Sequence, residues 1–154
     1  MKNVFFYDTK IGKIAIIEND NTIIGVETSD CMDARGINVS ETSIIKEAAK
    51  QLNEYFDGSR KSFDLPLDPQ GTEFQKKVWN ALCSIPYGET RSYKQIAEQV
   101  GNPKAARAVG MANNKNPIMI FVPCHRVIGS NGKLVGYASG LDTKEKLLSL
   151  EKAL

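Results

Sequence analysis

The sequence is poor in the residues that build metal centres and disulfide frameworks. Its 154 residues include three cysteines, none in a Cys-X-X-Cys pair, and one histidine. An odd number of scattered cysteines argues against a disulfide framework and favours reduced thiols in a reducing compartment. One histidine and a few isolated cysteines supply too few ligands for a tetrahedral zinc site. We therefore expect reduced cysteines, no metal and no cofactor.

Long apolar segments are also missing. No apolar run approaches the roughly 20 residues that a membrane-spanning helix requires. The amino terminus lacks the basic-then-apolar layout of a secretory signal. Hydrophobic residues make up 42% of the chain and charged residues 25%, as in an ordinary globular protein. The sequence thus predicts a soluble, cytoplasmic protein without a membrane partner.

Charge and composition both change near residue 70. Residues 1–70 hold 8 Lys/Arg and 12 Asp/Glu, whereas residues 71–154 hold 12 Lys/Arg and 6 Asp/Glu. A basic half favours contact with a polyanion, although a solvated charged surface is the alternative. We interpret the chain as two domains, an N-terminal scaffold over 1–70 and a second domain over 71–154.

The first domain has the pattern of a small sheet with one helix. Residues 4–9, 14–18 and 22–28 are rich in β-branched and aromatic types and predict an antiparallel meander. A helix is expected over 41–57, with Gly58 as its stop. Its inner face would consist of Ile44, Ala48, Leu52 and Tyr55 or Phe56. The alternation at Phe63, Leu65 and Leu67 fits a fourth strand or an extended linker.

The second domain is mainly helical. Thr72 with Gln75, and Ser92 with Gln95, each predict a capping box at the start of a helix. The first of these helices would bury Phe74, Val78, Leu82 and Ile85. The second would span 93–100, and another is expected over 103–113 with Asn102 as its cap. Such a pair is a helix-turn-helix, so the fold class is α/β (α+β): an N-terminal antiparallel β-meander plus helix, then a mainly helical domain with a helix-turn-helix.

The helix over 103–113 has small residues where a sequence-reading helix would have long ones. Lys104, Arg107 and Met111 fall on its outer side. Reading base edges in the major groove requires several outward Arg, Asn, Gln or Glu side chains. Small residues instead let the backbone approach the minor groove, which is only about 6 Å wide, and leave Arg107 to enter the base stack. We predict docking with little sequence preference, although a helix hairpin that binds no nucleic acid has the same pattern.

A Cys-His pair follows the apolar run 118–122, which predicts a buried strand. A thiol with a pKa of about 8.5 is mostly protonated at neutral pH, and an adjacent imidazole can accept its proton directly or through one water. Cys124 and His125 therefore form a candidate nucleophile and base. Adjacent residues on a strand point to opposite faces, so the pair needs a bend or a bridging water. An inert buried thiol beside a surface histidine is the alternative.

A carboxylate lies on the apolar stripe of the last predicted helix. Asp142 and Glu145 would cap this helix at its amino terminus. Its apolar face would consist of Leu147, Leu148, Glu151 and Leu154. Because an unpaired buried carboxylate is costly, Glu151 needs a partner. His125 would suit a triad-like arrangement, while a lysine, or exposure at the chain end, is equally compatible.

Two further segments flank the Cys-His pair. Asn116, before Pro117, could tie the cysteine turn together or simply mark a turn. The small-residue loop over 136–140 could wall a pocket for a planar ligand or be a flexible connector.

Pro123-Cys124-His125-Arg126-Val127 resembles the acceptor motif of the O6-alkylguanine-DNA alkyltransferases. Further motifs of that family follow the same order along the chain: Ser92-Tyr93 with Ile96-Ala97, Gly101-Asn102-Pro103 with Ala106-Arg107-Ala108-Val109-Gly110, Asn116-Pro117, Gly136-Tyr137-Ala138, and Lys144-Glu145 with Leu147-Leu148. The resemblance extends from about Gly71 to Leu150. The N-terminal half matches only in character, as the variable domain of the family.

The resemblance implies DNA repair by direct, stoichiometric and irreversible transfer of an alkyl group from O6-alkylguanine, and from O4-alkylthymine, to Cys124. The partner would be double-stranded DNA, and the protein a monomer. His125 would act as a base through water, Glu151 would orient it, and Asn116 would brace the turn. Tyr93 would help to rotate the nucleotide and protonate the leaving guanine.

The resemblance also implies which residues meet the DNA and the lesion. Arg107 would fill the space left by the extruded guanine, in a helix-turn-helix that family members dock in the minor groove. The other DNA contacts would be Tyr93, Lys104, Ala106 and Met111. The guanine pocket would consist of Val127, Tyr137, Ala138 and Ser139. Ser139 stands where relatives often have a second glycine, which puts the tolerance for bulky O6 substituents in doubt.

Three other functions share parts of this pattern. A protein that only marks lesions would bind alkylated DNA without transfer, but such relatives lack the acceptor cysteine. A helix-turn-helix regulator would select one undamaged sequence. A cysteine hydrolase would turn over its substrate repeatedly, whereas an alkyl acceptor reacts once.

Overall fold

A computed structural model describes residues 1–29, 32, 35–137 and 140–153. The chain divides into two compact units, Met1–Pro69 and Gln70–Leu154. Cys31, one of the three cysteines, lies outside the described residues, as do Ala138, Ser139 and Leu154. Within the described part of the chain, no helix is long and apolar enough to cross a membrane.

The first unit contains a four-stranded sheet with the order β3-β2-β1-β4. Its strands are β1 (Lys2–Thr9), β2 (Gly12–Asn19), β3 (Thr22–Thr28) and β4 (Asn38–Val39). β1, β2 and β3 pair antiparallel, as the sequence predicted, whereas β4 pairs parallel with β1. β4 is absent from the sequence-based prediction because its two exposed residues carry no periodic signal.

Helix α1 (Ser43–Phe56) packs on this sheet and ends where Gly58 adopts a φ of 86°. Ala48, Leu52, Tyr55 and Phe56 are buried as predicted, but Ile45 is buried in place of Ile44. The buried Gln51 amide exchanges two hydrogen bonds with the backbone of Asp64, at 3.1 and 3.0 Å. The segment around Leu67 is an extended connection that pairs with β3 at a single residue, Ile23.

The second unit contains α2 (Glu73–Leu82), β5 (Arg91–Ser92), α3 (Tyr93–Gln99), α4 (Ala106–Asn114), β6 (Val127–Ile128) and α5 (Leu141–Leu150). Both predicted capping boxes are present at the starts of α2 and α3. Trp79, which the predicted inner face omitted, is almost fully buried and donates from Nε1 to the Ala112 carbonyl at 2.8 Å. This bond ties α2 to α4. Phe74, predicted to face inward, is only half-buried.

The helix-turn-helix is formed by α3, residues 100–105 and α4, and its second helix begins later than predicted. Gly101 adopts a φ of 88°, and the backbone carbonyl of Asn102 accepts a hydrogen bond from Ala105 N–H at 3.0 Å. Residues 103–104 therefore belong to the turn, and α4 starts at Ala106 with Ala105 as its N-cap. The prediction of Asn102 as the cap was wrong, because that residue closes the preceding turn instead.

The predicted strand over 118–122 was also wrong. Val122 N–H donates to the Ile118 carbonyl at 3.0 Å and Phe121 N–H to Met119 at 2.9 Å, so the run folds back on itself. Ile120 adopts a φ of 73°, which is strained for a β-branched residue. All five side chains are buried, so burial was predicted correctly. A short apolar run does not by itself distinguish a strand from another buried conformation.

Two smaller differences between the prediction and the structure concern a short strand pair and the start of the last helix. β5 and β6 form a two-residue parallel pair, Arg91 with Val127 and Ser92 with Ile128, that the sequence analysis did not predict. This pair places the residues after the Cys-His pair beside the start of α3. Helix α5 has Gly140 as its N-cap, with Asp142 in its first turn, so the predicted cap by Asp142 and Glu145 was wrong.

Candidate active site

Cys124 opens a 3₁₀ turn that spans Cys124–Arg126. Its N–H donates to the Val122 carbonyl at 2.8 Å, and Arg126 N–H donates to the Pro123 carbonyl at 3.0 Å. The cysteine is 4% exposed. This turn is the bend that the adjacent Cys124 and His125 require if they are to act together.

The pKa of the Cys124 thiol is raised by burial, and three neighbours oppose part of that shift. Burial raises the pKa of the thiol, whereas hydrogen bonds to Asn116 and Tyr137 and the charge of Lys144 lower it. Asn116 also closes the preceding turn, because its Nδ2 donates to the Val122 carbonyl at 2.9 Å and its Oδ1 accepts from Ile118 N–H at 3.0 Å. One amide therefore shapes the turn and contacts the sulfur.

His125 is fully buried and bonded to Glu151 at the end of α5. The ring Nε2 lies 2.6 Å from Oε2 of Glu151, so the contact expected from the sequence is present. Burial lowers the pKa of His125 below its usual 6.5, and the hydrogen bond and charge of Glu151 oppose that shift. The other ring nitrogen, Nδ1, has no hydrogen-bond partner among the described residues. A neutral ring that donates from Nε2 keeps the lone pair of Nδ1 available to accept a proton.

Arg126 and Gly88 complete the surroundings of the Glu151 carboxylate. Arg126 donates from Nε to Oε1 at 2.8 Å and from Nη2 to Oε2 at 3.0 Å. The backbone N–H of Gly88 donates to Oε1 at 3.2 Å. The carboxylate is thus held in one orientation by three residues from two separate segments of the chain, His125 and Arg126 in the 3₁₀ turn and Gly88 before β5.

Lys144 is a second buried cation near the cysteine. Its side chain, which has no exposed surface, donates from Nζ to the carbonyls of Val135 at 3.0 Å and Gly136 at 3.3 Å. Burial lowers the pKa of Lys144 to about 8. The Tyr93 hydroxyl donates to the same Val135 carbonyl at 2.7 Å, and Lys144 Nζ lies 5.8 Å from the centroid of the Tyr93 ring. Tyr93 and Lys144 therefore hold the segment that leads to the loop over 136–140.

The helix-turn-helix presents the predicted outward side chains to solvent. Lys104, Arg107 and Met111 are exposed, Met111 by 66%, and Ala106 is half-buried. Val109 and Ala112 form the buried stripe, with Ala108 outside it. An exposed methionine beside an arginine and a lysine gives this face both apolar and basic character.

The predicted pocket residues occupy different environments. Val127 is fully buried and is the first residue of β6. Tyr137 is half-buried, and it is one of the groups that lower the pKa of the Cys124 thiol. Ala138 and Ser139 lie outside the described residues.

Comparison with known proteins identifies the family. Residues 73–153 match the description "6-O-methylguanine DNA methyltransferase, DNA binding domain", and residues 5–69 match "6-O-methylguanine DNA methyltransferase, ribonuclease-like domain". The chain belongs to the 6-O-methylguanine DNA methyltransferase family. The family resemblance inferred from the acceptor motif is thereby confirmed, and it includes the N-terminal half.

Individual members of the family are closely similar. The methylated-DNA–protein-cysteine methyltransferase of Methanosarcina acetivorans is 67% identical over 113 residues, which are 73% of this chain and 72% of that protein. The corresponding protein of Mycobacterium leprae is 61% identical over 112 residues, 73% of this chain and 68% of its own. The structure of Mycobacterium tuberculosis OGT in complex with DNA is 45% identical, with a TM-score of 0.93 over 98% of this chain and 93% of that one.

Sequence reasoning missed three buried polar residues of this methyltransferase site: Asn113, Arg126 and Lys144. Lys144 carried the same signal as Glu151, because it lies three residues before Leu147 on the apolar stripe of α5. A charge on a buried stripe requires a partner. Arg126 stood inside the acceptor motif, but only the tertiary fold shows that its partner is Glu151.

Proposed function

We propose that this methyltransferase repairs DNA by moving the alkyl group of O6-alkylguanine onto the sulfur of Cys124, once per molecule. The observation that carries the proposal is the buried thiol of Cys124 next to the hydrogen-bonded pair of His125 and Glu151. A relative that is 67% identical over 113 residues is named methylated-DNA–protein-cysteine methyltransferase, and this name supports transfer from DNA to a protein cysteine.

The proposed chemistry begins with the thiol proton, which His125 accepts through Nδ1 by way of one water while Glu151 holds Nε2. The thiolate attacks the alkyl carbon, so that a sulfur–carbon bond forms as the bond from carbon to O6 breaks. The electron pair of that bond passes to the guanine, and Tyr93 protonates the leaving base. Solvent returns the proton of His125 to Tyr93, which balances the reaction. The resulting thioether has no good leaving group, so each molecule reacts once.

We propose that α3 and α4 dock in the minor groove of double-stranded DNA with little sequence preference. Lys104 and Arg107 would contact the DNA, Arg107 by filling the space left by the extruded base. Ala106, Met111 and Tyr93 would pack nearby. The small residues of α4 reduce the mismatch between a helix about 10 Å wide and a groove about 6 Å wide.

The guanine pocket, in this proposal, lies between the cysteine turn and the loop over 136–140. Val127, Tyr137, Ala138 and Ser139 would line it, and Asn116 would brace the turn. We extend the substrate range to O4-alkylthymine, which presents an alkylated oxygen in a similar position. The first unit would act as a scaffold, and the protein would act as a cytoplasmic monomer.

Intact-protein mass spectrometry tests the central claim. After incubation with a duplex that contains O6-methylguanine, we expect one added methyl group, located on Cys124 by peptide mapping. Cys83→Ser removes a second free thiol and should retain the transfer, whereas Cys124→Ala should accept nothing. Methyl transfer to the Cys124→Ala variant, or an unchanged mass of the parent protein, would overturn the proposal.

The same assay distinguishes alkyl transfer from the three other functions. Excess lesion DNA should yield no more than one repaired guanine per protein molecule, because the acceptor is consumed. Repeated turnover would indicate a hydrolase. Lesion binding without transfer would indicate a protein that only marks damage, and strong preference for one undamaged sequence would indicate a regulator.

A further inference from the structure

Glu151 is shared between two side chains, and Arg126 makes the more extensive contact. The guanidinium donates to both carboxylate oxygens, at 2.8 and 3.0 Å, whereas His125 makes one hydrogen bond at 2.6 Å. The fork of an arginine matches the two oxygens of a carboxylate, and such bidentate pairs are strong. Arg126 is itself held in place, because its Nη1 donates to the Ile85 carbonyl at 2.8 Å.

We propose that Arg126 is a positioning residue of the alkyl transfer: by pairing with Glu151, it keeps the imidazole of His125 uncharged and able to accept the proton of Cys124. This inference rests on the proposed roles of Cys124 and His125. The pairing of Arg126 with Glu151 would explain why His125 is already neutral before the lesion binds.

The net charge of the buried cluster explains why His125 stays neutral. A guanidinium stays protonated in proteins, so Arg126 and Glu151 already form a neutral pair. A proton on His125 would add one uncompensated positive charge to a buried cluster, which is unfavourable. Without Arg126, the imidazole would be the nearest counter-ion of Glu151 and would retain a proton. A protonated imidazole cannot accept the proton of the thiol.

The other titratable groups around His125 do not reverse this balance. The charges of Arg126 and Lys144 both lower the pKa of His125, in addition to the larger effect of burial. Glu151, at the end of α5, acts in the opposite direction. Cys83 and Tyr87 are close enough to Arg126 to feel its charge. Burial raises the pKa of both groups, which favours their uncharged forms. Glu151 is therefore the group that would charge the imidazole, and of the two cations that oppose it, Arg126 is the one that pairs directly with Glu151.

The chain offers a direct measurement, because His125 is its only histidine. The ring ¹H–¹³C correlation of the full-length protein gives one histidine titration curve that needs no assignment. We expect the parent ring to stay neutral to below pH 6.5, the usual pKa of histidine. Arg126→Met, which removes the charge and keeps much of the length, should raise the pKa of His125 by about one unit or more, a tenfold change in proton affinity. Arg126→Met combined with Glu151→Gln should return the ring to the neutral form.

Alkyl transfer by the same variants gives a second readout. Arg126→Met should transfer the methyl group about twofold to tenfold more slowly at pH 7, by the factor that its own His125 titration curve gives for the loss of neutral imidazole at that pH. It should recover part of the loss at pH 9, where the imidazole is neutral again. A merely structural role would lower the rate equally at both values of pH. Affinity for lesion DNA should not change, because Arg126 and Glu151 are buried, whereas the side chains proposed to contact DNA, such as Lys104 and Arg107, are exposed.

Two results would overturn the inference: an unchanged His125 titration in Arg126→Met, or a rate loss that is the same at both values of pH. If Arg126→Met does not fold, Arg126→Lys decides in the same way, because a single ammonium pairs less well with Glu151. Its His125 pKa should rise by a smaller amount, and no rise overturns the inference. The titration requires no DNA, so a protein that shows it without accepting a methyl group would refute the proposed function alone.

Discussion

Asn113 donates a hydrogen bond from its side-chain Nδ2 to the backbone carbonyl of Cys124, at 3.2 Å. Asn113 lies in the last turn of α4 and is only 2% exposed. One residue earlier, the Ala112 carbonyl accepts the hydrogen bond of Trp79. The helix that we propose to meet DNA is thus bonded directly to the turn that carries Cys124, the proposed acceptor. The position of the sulfur relative to that helix depends on this bond.

Replacing Asn113 should therefore affect stability and reaction together. Asn113→Leu keeps the volume but leaves the buried Cys124 carbonyl without this donor, which should lower the free energy of unfolding by about 1–3 kcal/mol. Methyl transfer should slow by about tenfold or more, because small misplacements of reacting groups are costly. Asn80→Leu, on the exposed side of α2, serves as the control and should change stability by less than about 0.5 kcal/mol. Equal effects of the two substitutions, in urea unfolding and in transfer kinetics, would contradict the prediction.

Arg107 should matter when the lesion must leave a base stack. Extrusion from a duplex requires a few kcal/mol, and much less is needed in a single strand. Arg107→Ala should slow transfer from duplex O6-methylguanine by about tenfold to a hundredfold, and transfer from a single strand by much less. The matched control is Lys46→Ala, which removes the same charge from the exposed side of α1. If Arg107→Ala slowed both substrates equally, its role would be general attraction to DNA rather than extrusion.

Gly88 should tolerate a side chain less well than another glycine with similar backbone geometry. Gly88 has a φ of 81°, and a Cβ there would lie 3.2 Å from the Glu151 carbonyl, whereas Gly132 has a φ of 80° and nothing within 4 Å. Alanine at either position should lose roughly 1 kcal/mol of stability from the left-handed backbone. Gly88→Ala should lose about 1 kcal/mol more and should also slow methyl transfer, because Glu151 must shift. Equal melting temperatures for the two variants would show that the space beside Glu151 is not limiting.

Lys144 should make stability depend on alkaline pH. Its pKa is lowered to about 8 in the folded protein from an ordinary 10.5, so the unfolded chain binds more protons between these values. The free energy of unfolding should rise with pH through this window, relative to a variant without the group. Urea unfolding of the parent and of Lys144→Met, at intervals from pH 7 to 10.5, should show this difference. Lys146→Met, on the exposed side of α5, should behave like the parent; a parallel response of all three proteins would refute the prediction.

Local patterns in the sequence were sufficient for the elements that depend on near neighbours. The capping boxes before α2 and α3 join residues three apart, and the meander follows from alternation within each strand. The two-residue strands β4, β5 and β6 had no such signal, because their pairing partners are distant in the chain. The run at 118–122 was apolar enough to predict that its side chains are buried, but it was too short to predict its backbone conformation.

By itself, the sequence determined the acceptor motif around Cys124, the adjacency of the only histidine, and a carboxylate on the apolar stripe of α5. Only the tertiary structure decided how the charges are shared. Arg126 and His125 meet the same Glu151 carboxylate across 25 and 26 residues of chain. The buried Lys144 donates to the Val135 carbonyl, and its charge lowers the pKa of the Cys124 thiol. Such buried pairs form because each charge loses its water on folding and must find a partner in space. Sequence spacing indicates that a partner is needed, and the packing of distant segments decides which one it is.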